Sequence, residues 1–192
     1  SPAEDKIHLT AKSLAFPPAD LKETLGQQLV LLHLLPELES GLASTDSART
    51  GIFIGMQTDN EVCRYGLRWR LPELSQDYPA IDRLNLDEEV IPPLVAAGVL
   101  GKMPNLPANR ISNQLDITGP GFTVSREELS GDAALELAMT AIQRGELDAA
   151  IVGAVDLANE QVQAEAVSRL QNVKGNNSSE NRDTADAAVL LL

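Results

Sequence analysis

The stretch from Phe122 to Leu157 most constrains what this chain can fold into. Phe122, Thr123 and Val124 favour a strand. Ser130 to Arg144 then carry Ala133, Ala134, Leu135, Leu137, Ala138, Met139, Ala141 and Ile142 at positions that cover nearly every side of a helix. A helix apolar all round needs cover on most sides. Gly145 follows, the residue a helix C-terminus prefers. "DAAIVGAVDL" (148–157) is a continuous apolar run, the pattern of a parallel strand covered on both faces. Strand, crossover helix and buried strand in succession predict a right-handed βαβ unit. The fold class is therefore α/β, with parallel strands and a helix buried on most sides.

Elements on either side are shorter. "FPPADLKETLG" is an irregular, proline-punctuated start. Leu29, Leu32, Leu35 and Leu38 then recur at three-residue steps, widened by Leu31 and Leu34, and predict a helix that Pro36 kinks or ends. "RTGIFIGM" (Arg49 to Met56) reads as a buried strand. "NEVCRYGLRWRLPEL" is amphipathic and holds the sole tryptophan, Trp69. "NLDEEVIPPLVAAGVLG" has an acidic helix start, an apolar body and an interruption at Pro92 and Pro93. "KMPNLPANRISNQLDITGPG" is rich in turn residues, with a short helix inside it. Residues 159–171 are helical in pattern, and 172–186 are polar and expected to be a flexible surface loop. The closing "AAVLLL" reads as a buried strand, which would leave an open edge unless more protein covers it. The chain is thus expected to be half of a larger fold.

Charge narrows the function. Fifteen basic residues against twenty-eight acidic ones give a net charge of −13, which disfavours nucleic acid and anionic membrane surfaces. A long-lived partner should offer basic or apolar surface. No apolar run reaches the roughly 18 residues of a membrane span, and no leader pattern opens the chain. Cys63 is the single cysteine, which fits a reducing compartment and predicts a cytoplasmic protein. Its place beside Val62 suits a buried structural thiol. His33, on the leucine-rich helix, suits the edge of a core. Asp87, Glu88 and Glu89 suit a helix N-terminus, and no spacing resembles a metal site.

The turn after Val124 carries the chemistry. Free N–H groups and the helix dipole stabilise an anion or thiolate at a helix N-terminus, so a strand-turn-helix is a natural mount for a nucleophile. This one presents Ser125, Arg126, Glu127 and Glu128. Ser125-x-x-Glu128 also matches a capping box, in which the serine caps a backbone N–H and the glutamate reaches back.

"PANRISNQLDITGPGFTV" (107–124) resembles the segment leading to the nucleophile in β-ketoacyl synthases, the condensing enzymes of the thiolase fold. Ala108 to Ser112, Asp116, Gly119-Pro120 and Thr123-Val124 fit that motif without gaps. "RTGIFIGM" resembles a family strand. "LKETLGQQLVLL" resembles the DPQQR helix, with Gly26 in place of proline, and "GELDAAIVGAVDL" resembles the strand ending in GGVN. The likeness spans about residues 14 to 192, and "TDNEVCRYGLRWRL" is most similar to ketosynthase-type domains of polyunsaturated fatty acid synthases and bacterial polyketide-like multienzymes.

The resemblance implies the N-terminal half of a thiolase-like fold over residues 1–192, a mixed, mainly parallel sheet with a buried central helix between layers, truncated or with omitted segments, without the family's first strand or its C-terminal half. Laying "TVSREELSG" on TVDTACSSS puts Glu128 where the family has its nucleophilic cysteine, flanked by Ser125, Glu127 and Ser130. Family ketosynthases also use a histidine pair from the second half of the fold, whereas this chain has His8 and His33 alone, both upstream. The resemblance then implies no catalytic residue here, and a non-catalytic chain length factor that pairs with an active ketosynthase domain as a hetero- or pseudo-dimer and shapes the acyl tunnel. Phe122, Thr123 and Val124 would lie near the two-fold axis. No cofactor would bind directly, and acyl groups would arrive on the phosphopantetheine of acyl carrier protein domains. Two other readings stand beside it. One is a malonyl-carrier-protein decarboxylase, with Glu128 imitating the glutamine of loading domains. The other is a structural dimerisation fragment.

Overall fold

Seven successive residues, Thr50–Met56, are all buried and form the central strand β1. The computed structural model describes residues 9–10, 13–59, 61–77, 79, 93, 95–157, 169 and 186–192, apart from the side chains of 61, 63–65 and 68. β2 (Gly121–Val124) runs parallel to β1, with Ile52 opposite Gly121 and Gly55 opposite Val124. β3 (Ala149–Asp156) lies parallel on the other side, from Thr50 opposite Ala149 to Met56 opposite Val155. β4 (Ala187–Leu191) pairs antiparallel with β3 and completes the order β2-β1-β3-β4. The sheet is mixed and mainly parallel, as the resemblance implies, and the apolar runs of β1 and β3 are its parallel, buried strands.

The predicted βαβ unit is present with one difference. β1 lies between its two strands, and the crossover helix α7 (Ser130–Gln143) packs over β1 as well as β2 and β3. A local pattern identifies each strand but carries no information on which strand inserts between two others.

Around the sheet, α1 (Pro18–Lys22) is a short helix where an irregular start is expected, because proline in the first turn is compatible with helix. α2 (Gly26–Leu34) ends before Pro36, which falls in the 3-10 turn Leu35–Glu37, and α3 (Glu39–Leu42) follows. α2 buries Leu31 and Leu32 with Gln27 and Gln28, while His33 is exposed and not at the core edge. α4 (Glu61–Asp77) includes Pro72 and exposes Trp69. α5 is Ala96–Lys102 and α6 is Leu106–Leu115. His8, the Cys63 side chain, the acidic stretch at 87–89, the loop at 172–185 and all of 159–171 except Arg169 lie outside the described residues.

Two cores sandwich the sheet. On one face Ile52, Ile54, Ile151 and Val155 meet Leu31 and Leu32 of α2 and Ile111 of α6. On the other, Phe53 and Val152 meet Ala134 and Ala138 of α7. The short side chains of Ala134 and Ala138 bring that helix close. α7 is covered on one side, and Leu135, Leu137, Met139 and Ile142 on its outer surface are exposed. A single sheet among the described residues covers one flank of a helix whose composition asks for two. β4 is likewise an edge strand and not a buried one: Ala188 and Leu190 pack on the α2 core, while Val189 and Leu191 face outward. At the start of the strands Arg49 holds Asp148 through two contacts, Nε to Oδ2 at 2.6 Å and Nη2 to Oδ1 at 2.7 Å. Its Nη2 also donates to the Gly145 carbonyl at 2.9 Å, which ties β1 to the loop that opens β3.

Candidate functional site

The C-terminal ends of parallel strands, where ligands collect in open α/β sheets, converge here on the N-terminus of α7. The approach is close because two residues lack side chains. A Cβ on Gly55 would fall on the Ser130 carbonyl, and one on Gly131 would come within 2.9 Å of the Ala154 Cβ. The helix tip therefore rests directly on β1 and β3.

The turn from β2 into α7 is held by Ser130. Its hydroxyl accepts from the Arg126 N–H at 2.8 Å and donates to the Glu127 carbonyl at 2.6 Å. Glu127 has φ 52°, a left-handed conformation uncommon outside glycine, asparagine and aspartate. That reversal delays the helix, so Leu129 takes the N-cap without a side-chain capping bond. The capping box expected of Ser125 and Glu128 is therefore replaced. Ser130 satisfies the turn from inside the first helical residue, and Glu128 is left exposed.

A cleft of about 400 Å³ opens between the tip of α7 and β4. Glu127, Glu128 and Ser130 line it with Asp132, and Asp156 closes the end of β3. Leu135, Val152, Val189 and Leu191 supply apolar wall. Partial desolvation at the end of β3 pushes the exposed Asp156 carboxyl above its ordinary value, and the negative charge of Asp186 adds to the effect. The cleft thus combines an acidic mouth with an apolar wall. Carboxylates accept hydrogen bonds and can move protons, and they repel anions. They do not supply the sulfur of a thioester.

The structure brings Glu127, Glu128 and Ser130 together at this mouth, while Ser125 is exposed and does not line the cleft. Phe122, Thr123 and Val124 lie on the edge strand β2. Phe122 is 53% exposed, with its ring 5.7 Å from that of Phe53, and Val124 packs against the α7 core. Thr123 Oγ1 is buried and has no hydrogen-bond partner among the described residues. Sequence reasoning missed Asp132, Asp156 and the β4 wall. The signal for Asp156 was an acidic residue ending an apolar parallel strand. β4 carried none, because its docking beside β3 joins parts of the chain far apart in sequence.

The motif segment builds this architecture. Asp116 takes the left-handed position that ends α6, with φ 52°. Gly119 has no room for a side chain beside the Thr50 carbonyl, and the amides of Thr118 and Gly119 both donate to the Ser47 carbonyl. Among the described residues no helix is long and apolar enough to cross a membrane, and no three potential metal ligands gather.

Comparison with known proteins places this arrangement. One component of the polyunsaturated fatty acid synthase of Thraustochytrium is 27% identical over 135 residues, 69% of this chain and 6% of that protein. A highly reducing polyketide synthase of Gibberella fujikuroi is 40% identical over 76 residues, 40% of this chain and 3% of that protein. The chain therefore spans a small part of the curated relatives it matches. Among solved structures, the ishigamide ketosynthase/chain length factor superposes with a TM-score of 0.60 at 18% identity, covering 90% of this chain and 44% of the other. A ketosynthase from module 6 of the bacillaene synthase of Bacillus subtilis 168 gives 0.54 at 18% identity, covering 81% and 23%. At that identity both speak of the fold, which is the thiolase-like one of ketosynthases. The family model that matches, beta-ketoacyl synthase, N-terminal domain, takes in residues 15–190. From the Asp116 and Gly119 motif to the turn that Ser130 holds against β1, this chain belongs to the beta-ketoacyl synthase family, in its N-terminal domain.

Proposed function

We propose that this chain is a degenerate, non-catalytic ketosynthase part, a chain length factor, within a cytoplasmic polyunsaturated fatty acid or polyketide synthase. In this reading residues 1–192 are the N-terminal half of that unit. It pairs with an active ketosynthase and shapes the tunnel for acyl chains carried on the phosphopantetheine of acyl carrier protein. The observation that carries the reading is Glu128. It lines the mouth of the cleft among three further carboxylates, and in this reading it takes the place of the family's nucleophilic cysteine. A carboxylate there neither accepts an acyl group from a thioester nor welcomes the carboxylate of a malonyl unit. The apolar wall of Leu135, Val152, Val189 and Leu191 suits an alkyl chain. The two synthases it is similar to, and the pairing named in the ishigamide ketosynthase/chain length factor, support the setting.

The test uses the intact synthase. After incubation with acyl thioesters of the carrier protein, peptides covering 121–144 carry no acyl group, whereas Glu128→Cys makes the same peptide reactive to iodoacetamide. Leu135→Trp, which fills the cleft, shortens the products. An acyl ester on Ser125, Glu128 or Ser130 overturns the non-catalytic reading, and unchanged product lengths overturn the tunnel-shaping one.

A further inference from the structure

On the opposite face of the sheet from the cleft, α6 carries a buried cation. Arg110 is 8% exposed, and its Nε makes no hydrogen bond among the described residues. Its guanidinium carbon lies 5.0 Å from the centroid of the Phe16 ring. Asp20 acts on it electrostatically, yet no hydrogen bond or ion pair joins the two among the described residues. Burial pulls the Arg110 pKa below its ordinary value. Arginine nonetheless stays charged in proteins, so its buried Nε needs an acceptor.

The space beside it is suited to supply one. A cavity of about 240 Å³ among α1, α5 and α6 is lined by Arg110, Asn109 and Asn113 on the polar side and by Phe16, Leu100 and Leu106 on the apolar side, with Asp20 also at its wall. Asn109 and Asn113 are four residues apart on α6 and so share the face from which Arg110 departs. A guanidinium fork with two carboxamides matches the planar geometry of a carboxylate. The aromatic and leucine wall has room for a short alkyl tail. Asp20 disfavours a second negative charge, which selects against phosphate. We propose that this cavity binds a small monocarboxylate with a short apolar tail, its carboxylate held by Arg110 and its tail between Phe16 and Leu100. This site is independent of the acyl-tunnel reading.

Butyrate titrated into the intact polypeptide and followed by NMR of its labelled carboxyl carbon should saturate, while inorganic phosphate binds more weakly. Arg110→Lys keeps the charge but loses the fork, and weakens butyrate about tenfold or more. Asn113→Ala, on the exposed rim, weakens it severalfold without shifting the melting temperature, which keeps the test open if the arginine variant misfolds. Asp20→Asn removes a like charge and tightens butyrate about tenfold. Failure of butyrate to saturate at millimolar concentration overturns the proposal. So does an Asp20→Asn variant that binds no better, because Asp20 would then be the arginine's own counter-ion. Phosphate binding as tightly as butyrate would replace the monocarboxylate with a general anion.

Discussion

Ser130 has a hydroxyl that accepts at 2.8 Å and donates at 2.6 Å, and it is 5% exposed at the cleft wall, so water replaces these bonds only in part when the oxygen is removed. Ser130→Ala should therefore cost about 1–3 kcal/mol, the range for leaving buried polar groups unpaired, read as a lower denaturation midpoint. Ser125 is exposed and outside the turn's bonding, and Ser125→Ala should stay within about 0.5 kcal/mol. A second residue-scale outcome concerns pH. Asp156 has a raised folded pKa, so the folded state holds its proton more tightly than the unfolded chain does. Stability then falls as pH rises from the unfolded value near 3.8 through the higher folded value, and the penalty persists above it. Asp156→Asn should raise the melting temperature at neutral pH, with the gain vanishing below about pH 4. Asp148 is the opposite case. The hydrogen bond from Arg49 lowers its folded pKa, so its contribution is present above about 3.8 and is lost as pH falls through the lower folded value. At this scale the motif pointed to the turn from which Glu128 lines the cleft. The task of Ser130 was not legible, because which hydroxyl closes the turn depends on the backbone reversal at Glu127, and glutamate does not announce a positive φ.

The contact between α7 and the sheet depends on what is missing from Gly55 and Gly131. A methyl at Gly55 meets backbone, which has no rotamer to yield. Gly55→Ala should destabilise by about 1–3 kcal/mol, the cost of overpacking, and should shift the tip of α7 away from the cleft. Gly131→Ala meets only the Ala154 methyl at 2.9 Å, so Ala154→Gly should recover most of its loss in a double-mutant cycle. If the two losses simply added, the helix tip would not rest on β3 through that contact. Strands β1 and β3, the stop of α2 before Pro36 and the apolar character of α7 were readable because each rests on local periodicity or a single breaker. The insertion of β1 between β2 and β3 was not, nor was the placement of β4, since strand order is set by contacts between distant segments.

At the scale of the molecule, the outer flank of α7 and the edge of β2 expose apolar side chains among the described residues. Contiguous exposed apolar surface marks an interface more often than a free face. The all-round apolarity of α7 anticipates cover on the outer flank, while Phe122 on β2 belongs to the proposed pairing with an active ketosynthase. These are separate demands, and one variant tests each in the intact polypeptide. Met139 is 51% exposed in this chain. If the rest of the polypeptide covers α7, Met139→Glu buries an unpaired carboxyl and should lower stability by more than about 2 kcal/mol, with the assembly's size unchanged. Phe122 lies on a strand edge that folding of the sheet does not require to be covered. Phe122→Glu should lower the unfolding midpoint by no more than the lost ring contact with Phe53, about 0.5–1.5 kcal/mol, while sedimentation shows loss of the paired species. A Phe122→Glu protein that remains fully paired would remove β2 from the proposed interface. A Met139→Glu protein as stable as its parent would show that α7 keeps its outer flank in water, so that the composition of the helix answers to something other than burial.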